Sequence, residues 1–134
     1  MSLHYLLDTN AISDLVRQPG GRVATRIAEV GEDSIGTSTV VAAELRYGAE
    51  KSGSLALAAR IDLLLSAMEI LPLEPPADRH YAQIRNHLSR EGILIGPNDL
   101  LIAAHALAVD MSLVTANTRG FARVPSLRME NWLP

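Results

Sequence analysis

Short apolar runs alternate along this chain with longer segments of helical periodicity, and this alternation restricts it to few folds. The runs have the length of buried strands or, for the last, of an edge strand. They lie at residues 4–7, 34–37, 69–73, 112–115 and 127–129. Strands separated by helices favour a mainly parallel sheet that is covered on both faces. We therefore predict an α/β fold with residues 1–134 as one domain.

Turn residues and capping residues divide the intervening chain into predicted helices. The first ends at the Pro19-Gly20-Gly21 turn, and the last begins after Pro97, a residue suited to a first helical turn. An apolar stripe that includes Leu57 and Ile61 marks a helix that faces the core. The predicted helices span residues 10–17, 22–30, 39–49, 54–67, 78–90 and 98–109.

Length and composition bound the class of protein. A chain of 134 residues with 48% hydrophobic content can bury about two thirds of its unfolded surface, which argues against disorder. The apolar segments are shorter than the ~20 residues of a membrane span, and no secretory signal is visible. Cysteine is absent, which excludes disulfides, thiolate metal sites and cysteine nucleophiles. We expect a cytoplasmic protein with no membrane contact.

The charge balance argues against a simple polybasic binder of nucleic acid. The net charge is −3, although eleven of the twelve basic residues are arginines and Lys51 is the only lysine. Arginine suits phosphate because its planar fork donates two parallel hydrogen bonds. An arginine preference of the genome explains the same composition.

Three acidic residues stand where an apolar segment meets a turn or a helix start: Asp8, Glu44 and Asp99. A carboxylate in apolar surroundings has to be paired, hydrogen-bonded or bound to a cation. No nearby lysine or arginine can neutralise all three, whereas a divalent metal can. Mg²⁺ and Mn²⁺ prefer carboxylate and water oxygens, and they support phosphodiester hydrolysis. The three acids together therefore point to a metal-dependent hydrolase.

Each acid alone also has a structural interpretation. Asp8 can cap a helix or hold a turn, and Asp99 can be an ordinary first-turn acid that the helix dipole favours. Glu44 can pair with an arginine or lie on a narrow exposed helix face.

The blocks that contain these acids resemble the motifs of PIN-domain proteins, and more narrowly those of the VapC toxins of bacterial toxin–antitoxin pairs. The blocks are LLDTN (6–10), AELRYGAEKS (43–52), IGPNDLLIAAHA (95–106) and VTANTRGF (114–121). The C-terminal segment 127–132 is also similar, so the resemblance covers nearly the whole chain in the expected order.

This resemblance implies a three-layer α/β/α sandwich and a Mg²⁺- or Mn²⁺-dependent endoribonuclease. It also implies a homodimer and a cognate VapB-type antitoxin as partners. The metal would be held by Asp8, Glu44 and Asp99, and a metal-activated water would cleave RNA to 5′-phosphate and 3′-hydroxyl ends. Transfer RNA is the favoured substrate, because the relatives that share the Gly96-Pro97-x-Asp99 block look like tRNA-cutting toxins.

The fourth block departs from many relatives, which carry acids in the segment corresponding to residues 117–120. Here Asn117 and Gly120 are neutral. We assign Asn117 as a catalytic residue that is a weak or outer ligand, because its carbonyl oxygen can orient a metal-bound water. The lost charge leaves open whether one metal or two would bind.

Neighbours of the acids receive smaller roles. The hydroxyls of Thr9 and Thr115 can orient Asp8, and His105 is interpreted as a hydrogen-bonded core histidine. Tyr47 and Phe121 are interpreted as packing residues.

Three alternatives compete with the nuclease. A phospho-receiver domain needs paired acids near its first strand and a late lysine, both of which are missing here. A PIN scaffold that binds RNA or antitoxin without efficient cleavage is supported only by the neutral fourth block. A structure-specific DNA nuclease is disfavoured because the chain is too short for elements that clamp a duplex.

Overall fold

Five strands form one parallel sheet in the computed structural model, which describes residues 3–134. They are β1 (Tyr5–Leu7), β2 (Ile35–Ser38), β3 (Glu69–Leu71), β4 (Ser112–Val114) and β5 (Met129–Glu130). Their order in the sheet is β3-β2-β1-β4-β5. The predicted α/β fold is confirmed, and the strands lie within two residues of the predicted runs.

Strand β1 is the centre of the sheet. Leu6 pairs with Gly36 of β2 on one side and with Leu113 of β4 on the other. All four residues of β2 are buried, although successive side chains point to opposite faces. Both faces of the sheet are therefore covered, as the predicted three-layer sandwich requires.

Seven helices connect and cover the strands within the described residues. They are α1 (Thr9–Arg17), α2 (Arg22–Val30), α3 (Thr39–Ser52), α4 (Leu55–Ser66), α5 (Ala77–Arg90), α6 (Pro97–Ala108) and α7 (Thr118–Phe121). The first six match the predicted helices closely, whereas the short α7 was not predicted. None of the helices in residues 3–134 has the length and apolar character needed to cross a membrane.

The core lies between the sheet and helices that pack in pairs. Helices α5 and α6 pack together, α3 packs on α4, and α3 also contacts α1 and α6. Leu6, Ile102 and Leu113 are fully buried between these layers. Trp132 is also buried and its ring lies 5.0 Å from that of Tyr5, so it packs the C-terminal tail against the central strand.

The strand order creates a crevice at the carboxyl end of the sheet. The chain moves from β1 to β2 and β3 on one side, and then returns to place β4 on the other side of β1. Ligands of open α/β sheets bind at such a switch point. Leu7 pairs with Val114, so Asp8 and Thr115 follow two adjacent strand ends there.

A core substitution and an exposed one of the same chemistry test this architecture. Leu6→Ala removes a fully buried side chain from the central strand and should destabilise the protein by about 2–5 kcal/mol. Leu94→Ala, at a side chain that is 99% exposed, should change stability by less than about 0.5 kcal/mol. Urea denaturation measures both, and equal effects would contradict the proposed core.

Candidate active site

Asp8 lies directly after β1 and is 4% exposed. Its Oδ1 accepts a hydrogen bond from the Thr9 backbone N–H at 2.7 Å, and its Oδ2 accepts one from the Thr115 hydroxyl at 2.8 Å. Asp8 is also the N-cap of α1, so the capping interpretation was correct. The cap and the acidic cluster are compatible, because the cap fixes the carboxylate at the switch point.

Asn10 joins the ends of β1 and β4 around this carboxylate. Its Nδ2 donates to the Thr115 hydroxyl at 3.2 Å and to Asp8 Oδ2 at 3.4 Å, and its Oδ1 accepts from the Ala116 N–H at 2.9 Å. Sequence reasoning missed this role because nothing near Asn10 in sequence indicates that β4 will end beside it.

Glu44 lies in α3 and is partly buried. Its Oε1 accepts from the Thr9 hydroxyl at 2.6 Å, and its Oε2 accepts from Asn98 Nδ2 at 3.2 Å. Thr9 thus orients Glu44 through its hydroxyl and Asp8 through its backbone. The alternative that Glu44 pairs with an arginine is wrong for the described residues, where Arg46 instead binds Asp62.

Asp99 lies in the first turn of α6, and its charge interacts with those of the other two acids. Burial raises the pKa of Asp99, and the negative charges of Asp8 and Glu44 raise it further. Burial also raises the pKa of Asp8, while hydrogen bonds from Thr115 and Thr9 lower it and the Glu44 charge raises it. The three carboxylates therefore share one electrostatic environment in which each ionised group disfavours the next.

No positive side chain neutralises this cluster in the part of the chain that the structure describes. The ion pairs there involve other acids, such as Asp62 with Arg46 and Asp110 with Arg128. Hard oxygen donors that repel one another suit a divalent cation. However, residues 3–134 contain no group of three or more His, Asp or Glu side chains already arranged as a metal site. Both Glu44 oxygens accept hydrogen bonds instead, so any bound cation would compete with Thr9 and Asn98.

Asn117 lies at the same edge but is occupied by local hydrogen bonds. Its Oδ1 accepts from the Gly120 N–H at 3.1 Å and caps α7, and its backbone N–H donates to the Thr115 hydroxyl at 3.0 Å. The carbonyl oxygen that we assigned to a metal or water is therefore engaged. Its catalytic role stays a prediction.

The structure shows whether three further residues lie in the core as predicted. His105 is 1% exposed and its Nδ1 lies 2.8 Å from Ser38 Oγ, which confirms a hydrogen-bonded core histidine. Phe121 is fully buried, as predicted. The prediction that Tyr47 packs was wrong because its side chain is 66% exposed. Val41 and Leu45 face the core from α3, and Tyr47 lies outside that face.

The sequence matches the PIN domain over residues 5–127. Because this match covers most of the chain, the protein belongs to the PIN-domain family. The family also agrees with the site, because three of the four resembling blocks contribute the acids that the fold brings together.

Within that family the similarity is to VapC proteins. Ribonuclease VapC2 of Rickettsia felis is 36% identical over 130 residues, which cover 96% of this chain and 97% of that protein. The tRNA(fMet)-specific endonuclease VapC of Shigella flexneri is 37% identical over 97% of this chain and 98% of its own length. A crystal structure of VapBC2 from Rickettsia felis, bound to a DNA fragment from their promoter, contains a chain that aligns with a TM-score of 0.91. That chain is 34% identical, and the alignment covers 98% of this chain and 99% of that one.

The burial of Asp99 and its repulsion by Asp8 and Glu44 predict that the free energy of unfolding depends on the charge of this residue. Asp99→Asn should stabilise the metal-free protein at neutral pH, because an acid with a raised pKa in the folded state destabilises the fold once it ionises. The folded state binds more protons than the unfolded one between the ordinary value of 3.8 and the raised pKa, so wild-type stability should fall as pH rises through that window. Urea denaturation of the two proteins across acidic and neutral pH measures this difference.

Asp78→Asn is the matched control, because Asp78 is an exposed acid in the first turn of α5 and has the same relation to a helix dipole. It should slightly destabilise the protein or leave it unchanged. Equal effects of the two substitutions would mean that neither burial nor the neighbouring charges raise the pKa of Asp99.

Proposed function

We propose that this protein is a divalent-metal-dependent endoribonuclease of the VapC toxin type, with tRNA as the favoured RNA. One observation carries the proposal: Asp8, Glu44 and Asp99 interact at the switch point of the sheet without a positive partner in the described residues. The VapC relatives named as ribonucleases or as a tRNA-specific endonuclease support the choice of RNA.

The donor set fits Mg²⁺ or Mn²⁺, which would be held by Asp8, Glu44 and Asp99. When bound, such a cation supplies positive charge for the scissile phosphate and polarises the attacking water. The chain contributes orientation. Thr115 and the start of α1 hold Asp8, Thr9 and Asn98 hold Glu44, and the first turn of α6 places Asp99.

No side chain has to act as a covalent nucleophile. The hydroxyls of Thr9 and Thr115 donate to carboxylates and therefore serve as orienting groups. Water would attack the phosphorus in line, and the bond to the 3′ oxygen would break. Loss of one water proton and protonation of that oxygen leave 5′-phosphate and 3′-hydroxyl ends.

A second candidate is a PIN scaffold that binds RNA or antitoxin but cleaves poorly. One observation favours it, since the Asn117 carbonyl oxygen caps α7 and no acid stands at residues 117–120. The cleavage experiment below separates the two candidates.

We also propose a VapB-type antitoxin as partner, which the VapBC neighbours support. An apolar groove of about 380 Å³ lies between α1, α3 and α4, with Val16, Gly48 and Leu57 in its lining. Thr9 and Glu44 line the same groove, so a segment seated there would reach the acidic cluster and obstruct it. A homodimer and a cytoplasmic location stay predictions.

Cleavage of purified tRNA tests the proposed activity. Wild-type protein should cut in Mg²⁺ or Mn²⁺ and stop in EDTA. Asp8→Asn, Glu44→Gln and Asp99→Asn should each lower the rate by roughly 100-fold or more, the scale on which removal of one charge-stabilising group acts. Mapping of the new RNA ends should show 5′ phosphates.

Asp78→Asn should cut at the wild-type rate, and urea denaturation should show that all variants remain folded. Binding of tRNA by a wild-type protein that does not cut it with either metal would favour the scaffold. Undiminished cleavage by Asp99→Asn would overturn the proposed site.

Gly48→Trp tests the antitoxin groove. A Cβ added at residue 48 meets nothing within 4 Å and Gly48 lines the groove, so tryptophan should extend into the groove without disturbing the fold. It should weaken binding of the cognate VapB-type antitoxin, measured by isothermal titration calorimetry, by at least about tenfold, or 1.4 kcal/mol. Gln83→Trp, on the exposed surface of α5, is the matched control and should bind normally. Wild-type affinity in Gly48→Trp would place the antitoxin elsewhere.

A further inference from the structure

A buried hydrogen bond joins α6 to the start of α3. His105 Nδ1 lies 2.8 Å from Ser38 Oγ, and the two residues are 1% and 0% exposed. They are 67 residues apart in the sequence. Buried polar groups in native structures almost always have partners, so each of these residues constrains the position of the other.

Ser38 serves two elements at once. It ends β2 and is the N-cap of α3, where its Oγ accepts from the Val40 N–H at 3.0 Å. A hydroxyl both donates and accepts, so the contact with His105 is compatible with either neutral tautomer of the imidazole. The histidine thus bonds to the atom that fixes where α3 begins.

Ser38 Oγ is the hydrogen-bond partner of His105 Nδ1, and the Pro72 backbone also interacts with the ring. Nε2 is buried and no acceptor lies in hydrogen-bond geometry with it. Burial lowers the pKa of His105, and the Pro72 carbonyl opposes only part of that effect. The ring is therefore neutral at physiological pH, and its contact with Ser38 is a hydrogen bond between two uncharged groups.

The helices that meet at this bond carry two of the three acids. Glu44 lies six residues after Ser38 along α3 (38 to 44), and Asp99 lies six residues before His105 along α6 (99 to 105). Six helical residues span about 9 Å, so a helix transmits a shift at one position to the other. The helix alone places the Asp99 carboxylate, because that carboxylate has no hydrogen-bond partner among residues 3–134.

We propose that the Ser38–His105 hydrogen bond positions the active site by fixing α3 against α6 and thereby the separation of Glu44 and Asp99. Both are positioning residues that touch neither RNA nor metal. This proposal rests on the proposed nuclease function. A purely structural role would affect stability alone, whereas a positioning role affects metal binding and turnover even when stability is retained.

The double variant Ser38→Ala/His105→Leu separates these roles. Removing both buried polar partners destabilises a protein much less than leaving one of them without a partner. The double variant should therefore be more stable than the summed effects of the two single substitutions predict. Its Mn²⁺ affinity without RNA, measured by calorimetry, and its kcat on tRNA should nevertheless fall roughly 10- to 100-fold, the usual effect of losing an outer-shell contact. Its KM for tRNA should change less than twofold.

Two single variants complete the test. Ser38→Thr keeps the hydroxyl and the cap, so its Mn²⁺ affinity and kcat should stay at wild-type values. Ser34→Ala removes a buried hydroxyl at the opposite end of β2, where it donates to the Val30 and Gly31 carbonyls. It should lower stability in urea while Mn²⁺ affinity and kcat stay at wild-type values.

Wild-type Mn²⁺ affinity and kcat in the folded double variant would overturn the positioning role and leave the nuclease proposal standing. A parallel loss in Ser34→Ala would overturn it too, because any loss of stability would then produce the effect. A wild-type protein that neither binds Mn²⁺ nor cleaves tRNA would refute the nuclease, and the positioning role with it.

Discussion

Repulsion among three buried or partly buried carboxylates is the constraint around which the candidate active site is arranged. Asp8, Glu44 and Asp99 come from distant parts of the chain, and in the described structure none has a positive partner. Burial raises the pKa of Asp8 and of Asp99, and the negative charges near each of them raise it further, so both residues destabilise the fold when they ionise. A chain retains such an arrangement only where the rest of the fold offsets it, and this cost is typical of sites built for a ligand.

Hydrogen bonds from neutral donors, rather than ion pairs, offset the cost of bringing these carboxylates together. Thr9 illustrates the arrangement, because its backbone N–H donates to Asp8 and its hydroxyl donates to Glu44. Neutral donors orient a carboxylate and leave its negative charge available, whereas an arginine would cancel it. The N-terminal ends of two helices also stabilise negative charge here, since Asp8 caps α1 and Asp99 lies in the first turn of α6. The site thus keeps the charge that a divalent cation needs.

Much of the fold was predictable because its signals are local. The α2 boundaries at Arg22 and Val30 follow from apolar periodicity between glycines, and the strands follow from short apolar runs. The places of Asp8 and Asp99 were also predictable, because a strand end and a helix start lie at one edge of a parallel sheet, whereas Glu44 lies inside α3 rather than at its start. The contacts among them were not predictable. That Asn10 would reach Ala116, or that Asn98 would bind Glu44, depends on side-chain positions across more than fifty residues of sequence.

The local sequence pattern gave a wrong prediction for Tyr47 and no prediction of α7. Tyr47 was interpreted as a packing residue, but the core-facing stripe of α3 leaves its side chain outside. The helix α7 was missed because four residues are too few to show periodicity. Its formation depends instead on the Asn117 cap, a single hydrogen bond within the fourth block.

That cap gives the neutral fourth block a physical explanation. A Cβ built at residue 120 would lie 2.7 Å from Asn117 Oδ1, far closer than atoms in contact approach. An acid at residue 120 would therefore require the Asn117 side chain to move and the cap to open. Asn117 and Gly120 thus form one coupled unit, in which the glycine allows the asparagine to close α7. The same unit withholds a carboxylate from the edge of the cluster, so the negative charge available to a cation is concentrated on Asp8, Glu44 and Asp99.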